Sequence, residues 1–155
     1  MMLELTRTIQ PLWPSVREMR GEVGERLAAL SKELRNATTM TASELLENAI
    51  KYGESVPGAE CIAFTLQADD AQIKIRVVNG STNGSAVTLL RERVREIAAA
   101  EDKSALYFGR LQALLACPEE SGQLGLYRIA FEGQYELSCR YGDNIVTVIA
   151  TRKIS

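Results

Sequence analysis

Hydrophobic residues recur along the chain with two spacings, and together these spacings predict ten secondary-structure elements. Alternation of apolar with polar positions predicts strands over residues 3–9, 61–67, 72–78, 135–141 and 145–152. Apolar positions three and four residues apart predict helices over 15–30, 32–52, 87–100, 104–116 and 124–132. Residues 79–85 and 117–122 have the composition of loops, and the Gly-Asp-Asn sequence at 142–144 is a hairpin signal.

Helices and hairpins are grouped along the chain rather than alternating, and this grouping determines the expected fold class. Strands joined by short turns pair antiparallel, whereas a parallel sheet needs a crossover after every strand. The order therefore predicts an α+β fold, a two-layer α/β sandwich with a mostly antiparallel sheet and helices on one face. The 155 residues contain no linker or repeat, so we expect a single domain over residues 1–155.

Composition excludes several function classes. The chain has no histidine, which excludes a Ser-His-Asp triad, a Cys-His dyad, a His-ligated metal and a phospho-accepting histidine. A net charge of −2 gives no electrostatic footprint for nonspecific binding to nucleic acid or membrane. Cys61, Cys117 and Cys139 are far apart and odd in number, which favours reduced structural residues. Without a bilayer-length apolar run or a signal peptide pattern, we expect a cytoplasmic protein.

The second predicted helix carries polar residues that are suited to chemistry. Glu44, Asn48 and Lys51 lie within roughly 60° of one another on one helix face. A carboxylate can orient water, an amide oxygen can ligate Mg²⁺, and an ammonium group can meet a phosphate. The spacing alone is equally typical of an amphipathic helix with a solvated polar stripe.

The same segment resembles a known sequence motif. Its pattern Glu-x-x-x-Asn-Ala-x-Lys-Tyr, residues 44–52, resembles the N-box of the gyrase, Hsp90, histidine-kinase and MutL ATPase superfamily. Within that superfamily, it is most similar to the single-domain anti-sigma factor serine kinases. The resemblance implies the Bergerat, or histidine kinase-like ATPase, fold over nearly the whole chain. It also implies that Asn48 ligates Mg²⁺, that Glu44 is the general base, and that Lys51 lies near the phosphates of ATP.

A second motif precedes the short helix at 124–132. Gly122 and Gly125 let the backbone approach an anion near the first helical N–H groups, although two glycines at a helix start need no ligand. The segment 122–126 resembles the G2 box of the same superfamily, Gly-x-Gly-x-Gly-Leu, with no clear equivalent of one glycine. The resemblance implies that Gly122, Gly125 and Leu126 contact the nucleotide.

A third motif follows the strand predicted over 72–78. Residues 78–84 resemble the G1 box, Asp-x-Gly-x-Gly, whose aspartate accepts a hydrogen bond from the adenine amino group. With Gly80 aligned to the first glycine, Val78 occupies the aspartate position and offers no acceptor. A register shifted by one residue offers the carbonyl oxygen of Asn79 instead. The resemblance implies that Asn79 and Gly80 lie beside the nucleotide.

The segment 81–121 occupies the place of the superfamily's nucleotide lid, and it is helical and charged. Its charges are typical of a solvated face, with a docking helix for a partner as the alternative. The apolar residues of its second helix predict core packing: Leu106, Tyr107, Leu111, Leu114 and Leu115. Core packing is also expected of Trp13, for which a dimer contact is the alternative.

Three functions follow from these features. The resemblance favours a regulatory protein that binds ATP and Mg²⁺ and acts on a partner protein, with serine/threonine kinase activity as one form of that action. The partner would be a sigma factor, an anti-sigma antagonist or a response regulator, and a homodimer is also implied. The alternative is a module of the same fold in bacterial signalling that has lost nucleotide binding, as Val78 suggests. The third is an unrelated α+β domain that binds a small molecule.

Overall fold

The computed structural model describes residues 2–117 and 124–154, and its elements follow the predicted order. The strands are β1 (Leu3–Ile9), β2 (Ile62–Ala68), β3 (Gln72–Gly80), β4 (Glu136–Gly142) and β5 (Ile145–Lys153). The helices are α1 (Trp13–Arg26), α2 (Lys32–Tyr52), α3 (Gly84–Ala99), α4 (Lys103–Ala116) and α5 (Leu124–Phe131). Within the described ranges, no helix is both long and apolar enough to cross a membrane.

The five strands form one antiparallel sheet in the order β1-β2-β3-β5-β4. Alternate residues of every strand are apolar and turn toward the helical layer. One row of paired residues crosses all five strands through the core: Leu5, Leu66, Ile75, Ala150 and Leu137. This architecture confirms the predicted α+β sandwich.

The long helix α2 lies at the centre of the helical layer. Ser31 caps its start, because its Oγ accepts a hydrogen bond from the Leu34 N–H at 3.2 Å. Thr38 is fully buried, and its Oγ bonds both the Leu34 carbonyl and the Tyr135 hydroxyl at 2.7 Å. The second bond ties α2 to the chain that enters β4, which fixes the helix over the sheet.

The β4–β5 hairpin confirms its sequence signal and positions the start of α3. Asp143 and Asn144 have φ values of 54° and 63°, as a two-residue hairpin turn requires. The Asn144 carbonyl accepts the Ser81 N–H at 2.8 Å, and the Tyr141 hydroxyl donates to the Ser81 carbonyl at 2.9 Å. The connection from β3 to α3 is therefore held against the hairpin.

The ends of several elements differ from the prediction, among them those of β3, α1 and α3, which begins at Gly84 rather than at residue 87. Strand β3 continues through Asn79 and Gly80, which were expected in a loop. It does so because Gly80 pairs with Ile145 and its carbonyl accepts the Glu54 N–H at 2.8 Å. Helix α1 spans Trp13–Arg26 rather than 15–30, with Pro14 in its first turn.

The prediction of burial is wrong for Trp13 and Leu115, whereas Leu106 and Tyr107 pack against the core as predicted. Trp13 is 57% exposed because it begins α1 at the surface rather than facing the sheet. Helix α4 has no fully buried residue over its described length, and Leu115 is 77% exposed. The reason is that α4 packs mainly against α5, where the rings of Tyr107 and Phe108 meet Phe131, and not against the sheet.

Candidate functional site

A cleft lies between α2, α3 and the hairpin ends of β3 and β5. Its lining is mostly apolar with a few polar groups, which is typical of a small-molecule site. The lining residues are Leu45, Asn48, Ala49, Tyr52, Val77, Asn79, Ser81, Ala86, Val87, Leu90, Leu126, Val146 and Val148. The volume of the cavity inside it is about 40 Å³, whereas sites for larger ligands enclose roughly 300–1,000 Å³. Helix α3 covers the cleft and would have to move outward to admit such a ligand.

The carboxamide of Asn48 is the most informative polar group in the cleft. Its Nδ2 atom is buried and has no hydrogen-bond partner in the described part of the chain. A buried amide left unpaired costs about 1–3 kcal/mol, so such groups are rare without a functional reason. The group donates hydrogen bonds, so a ligand or a water molecule that offers an acceptor in the cleft can supply the missing partner.

Asn79, and not Val78, faces the cleft. Because side chains alternate along β3, Val77 and Asn79 line the cleft and Val78 lies on the opposite sheet face. The Nδ2 of Asn79 donates to the Gly80 carbonyl at 3.1 Å. The Oδ1 atom is therefore the acceptor that this side chain offers to a ligand, in the register shifted by one residue.

Glu44 lies one turn before Asn48 on α2, against the first turn of α5. Its side chain is only 19% exposed, and Arg128 Nη1 donates to its Oε1 at 3.2 Å. A Cβ atom on Gly125 would lie 2.9 Å from the Glu44 Cδ atom and still closer to Oε2. Gly125 therefore makes room for the Glu44 carboxylate, whereas its resemblance to the G2 box implied contact with the nucleotide.

The surroundings of Glu44 act on its pKa in both directions. Burial raises the pKa of the Glu44 carboxyl above its ordinary value, and the negative charge of Glu47 raises it further. The Arg128 guanidinium opposes both effects by charge and by hydrogen bonding, while Glu132 adds a smaller increase. The net result is a pKa above the ordinary value of a glutamate, with burial as its main cause.

The other predicted site residues are dispersed. Leu126 is fully buried and lines the cleft. Lys51 is exposed, with its Nζ 5.3 Å from the Tyr52 ring centroid, and does not line the cleft. Gly80 is buried beneath Glu54 and Val56 and lines a second cavity behind Asn79. Gly122 lies outside the described residues.

Sequence reasoning missed the residues of α5 that bind neighbouring elements. Arg128 follows Gly125 by three positions on a helix, so a shared face was predictable from spacing. The Tyr127 hydroxyl donates to Glu96 Oε1 at 2.6 Å, and Arg110 Nη2 donates to the same atom at 3.1 Å. No sequence signal links these three residues, which join α5 to α3 and α4.

Comparisons with known proteins identify a shared fold. No protein-family model matches this sequence, and no curated protein matches it either. Among solved structures, the chain is similar to a chain in the crystal structure of the SiaB–SiaC complex from Pseudomonas aeruginosa. The TM-score is 0.68 at 16% sequence identity, covering 97% of this chain and 89% of that chain. The likeness therefore extends over nearly the whole domain, and at this identity it establishes the fold alone.

Proposed function

We propose that this protein is a regulatory protein of the Bergerat type, which binds Mg-ATP in the cleft beneath α3 and acts on a partner protein. The observation that carries the proposal is the meeting of Asn48 and Asn79 in one apolar cleft. These residues come from the segments that resemble the N-box and the G1 box. The likeness to a chain from a two-protein complex supports action through a partner.

The chemistry of the cleft fits a nucleotide with Mg²⁺. Its apolar walls suit a flat base, and the Asn79 Oδ1 is an acceptor for an adenine amino group. The Asn48 side chain offers Mg²⁺ an oxygen ligand, and the phosphates would supply others. Mg²⁺ usually takes only one or two protein ligands at such sites.

Glu44 is the group that would accept a proton. When bound, Mg²⁺ offsets the charge of the phosphates. The partly buried Glu44 carboxylate, with its raised pKa, would take the proton from a serine or threonine hydroxyl of the partner as that oxygen bonds to the γ-phosphorus and ADP leaves. Helix α3 would exclude water by closing over the base, since Val87 and Leu90 already cover the cleft.

Calorimetric titration tests the nucleotide site directly. Wild-type protein is titrated with ATP and ADP, in Mg²⁺ and in EDTA, beside Asn48→Ala. The matched control is Asn36→Ala, which removes an exposed asparagine from the same helix. We expect saturable Mg²⁺-dependent heat in wild type and Asn36→Ala, and its loss in Asn48→Ala. No heat at about millimolar nucleotide, or equal binding by both variants, would contradict the proposed site.

A nucleotide-free interaction module is the second candidate, and the narrow cleft favours it. With about 40 Å³ of free space, the cleft is closed to a nucleotide unless α3 moves. In this case the partner would bind equally well with and without ATP. ATP labelled in its γ-phosphate, added to a mixture of this protein and its partner, separates the two functions. The first predicts phosphate transfer to the partner that Glu44→Gln abolishes, and the second predicts no transfer.

A further inference from the structure

Helix α5 places two residues against Glu44, one of which leaves space for its carboxylate while the other donates a hydrogen bond to it. Gly125 and Arg128 are three positions apart and so share one helix face. Gly125 leaves the space that the carboxylate of Glu44 fills, and Arg128 donates to that carboxylate. The contact joins residues 84 positions apart in sequence and brings α5 against α2.

We propose that Arg128 is a positioning residue that directs the carboxylate of Glu44 and favours its ionised form by donating a hydrogen bond to it. The part of this inference that concerns proton transfer rests on the proposed function. Arg128 itself is anchored from behind by Glu132, to which its Nε donates. That second bond restricts where the guanidinium can lie, which leaves Nη1 directed at Glu44.

Charged groups on two helices act on Glu44. On α2, Glu47 adds a negative charge one turn along the helix, and on α5, Glu132 adds another. Burial acts in the same direction as these charges, because it disfavours the ionised carboxylate. Arg128 is the cation that opposes them. Without it, every remaining influence named here favours a protonated Glu44, which cannot accept a proton.

The test is a direct titration of Glu44. Protein labelled with carbon-13 at glutamate carboxyls is titrated by NMR, with Glu44→Gln used to assign the signal. In Arg128→Met we expect the pKa of Glu44 to rise, and in Arg128→Lys we expect it to remain close to wild type. Arg7→Met is the matched control, because Arg7 pairs with Glu22 at similar exposure on β1 and α1. It should leave the Glu44 titration unchanged.

A second substitution is expected to shift the pKa of Glu44 downward, so that a shift caused only by misfolding of Arg128→Met can be recognised. Glu47→Gln removes a negative charge and keeps the size of the side chain, so the pKa of Glu44 should fall. The inference is overturned if Glu44 titrates alike in wild type and Arg128→Met. It is also overturned if Arg7→Met shifts the titration as much. These outcomes are read from the NMR signal and do not depend on whether the protein binds ATP.

Transfer to a partner supplies the second measurement. If Glu44 is the base, the acid limb of the pH–rate profile should move to higher pH in Arg128→Met. The ratio of wild-type to variant rate should then be largest at low pH and smaller at alkaline pH. A loss that is equal at every pH would indicate a merely structural role and overturn the inference. If wild-type protein does not bind nucleotide, the proposed function is contradicted. The NMR titration would still decide the role of Arg128.

Discussion

Helices α2 and α4 have similarly clear apolar periodicity, yet the fold uses them in different ways. Helix α2 is enclosed by α1, α5 and the sheet, and eight of its residues are fully buried. Helix α4 is the more apolar of the two by mean hydropathy, yet it has no fully buried residue. It packs mainly against α5 and leaves Phe108 and Leu115 exposed.

Periodicity along the chain therefore predicts a helix but not the elements that pack against it. Burial depends on what the topology places against the apolar face, and α2 has two helices and a sheet while α4 has essentially one helix. The residues proposed for chemistry, Glu44 and Asn48, lie on the enclosed helix. The helix that carries them is held by packing on several sides, which gives a binding site a fixed backbone.

The largest expected effect tests the energetic side of this comparison. Leu46→Ala on α2 removes a side chain that is 1% exposed, and we expect a loss of about 2–5 kcal/mol in the free energy of unfolding. Leu115→Ala makes the same chemical change on α4, where the side chain is 77% exposed. A change within about 0.5 kcal/mol is expected there. Urea denaturation measures both, and equal losses would mean that α4 is covered in solution.

The second expected effect concerns how α2 is tied to β4. Burial raises the pKa of Tyr135 to about 12, against about 10 in an unfolded chain. A raised pKa in the folded state contributes stability below pH 10, and that stability is lost as the pH rises toward 12. Between pH 8 and pH 11 we expect wild type to lose about 1.4 kcal/mol more than Tyr135→Phe, because at pH 11 only the unfolded tyrosine is largely ionised. Urea denaturation at pH 8 and pH 11 measures the difference.

Thr38→Val is the control for the Tyr135 experiment. It removes the hydrogen bond that Thr38 shares with Tyr135 but leaves the tyrosine able to titrate. We therefore expect it to cost about 1 kcal/mol at pH 8 and to retain the alkaline loss. If Tyr135→Phe shows the same alkaline loss as wild type, another group is responsible.

Much of the fold was predictable because it depends on local signals. The bounds of α2 follow from its periodicity and its capping residues, and the β4–β5 turn follows from Asp143 and Asn144. The residues that form the site come from distant parts of the chain. Tertiary packing brings Arg128 to Glu44, and it also brings the Glu54 N–H to the Gly80 carbonyl. Spacing along one helix cannot predict such contacts.

The smallest expected effect compares the caps of the two helices. Ser31 and Asp102 each accept a hydrogen bond from the backbone N–H three residues later, at 3.2 Å and 3.0 Å. Ser31→Ala should lower the free energy of unfolding by about 1 kcal/mol, because α2 unfolds only with the whole domain. Asp102→Ala should act mainly through local opening of α4, because few buried contacts hold that helix.

Hydrogen exchange separates the two modes of unfolding. In Asp102→Ala, we expect amides of α4 to exchange faster while those of α2 keep their wild-type rates. In Ser31→Ala, the slowest amides of the sheet should accelerate together with those of α2, since they share one global transition. If Asp102→Ala also accelerates the sheet amides, then α4 unfolds with the core. Its contact with α5 through Tyr107 and Phe131 would then be strong enough to make the two helices a single cooperative unit.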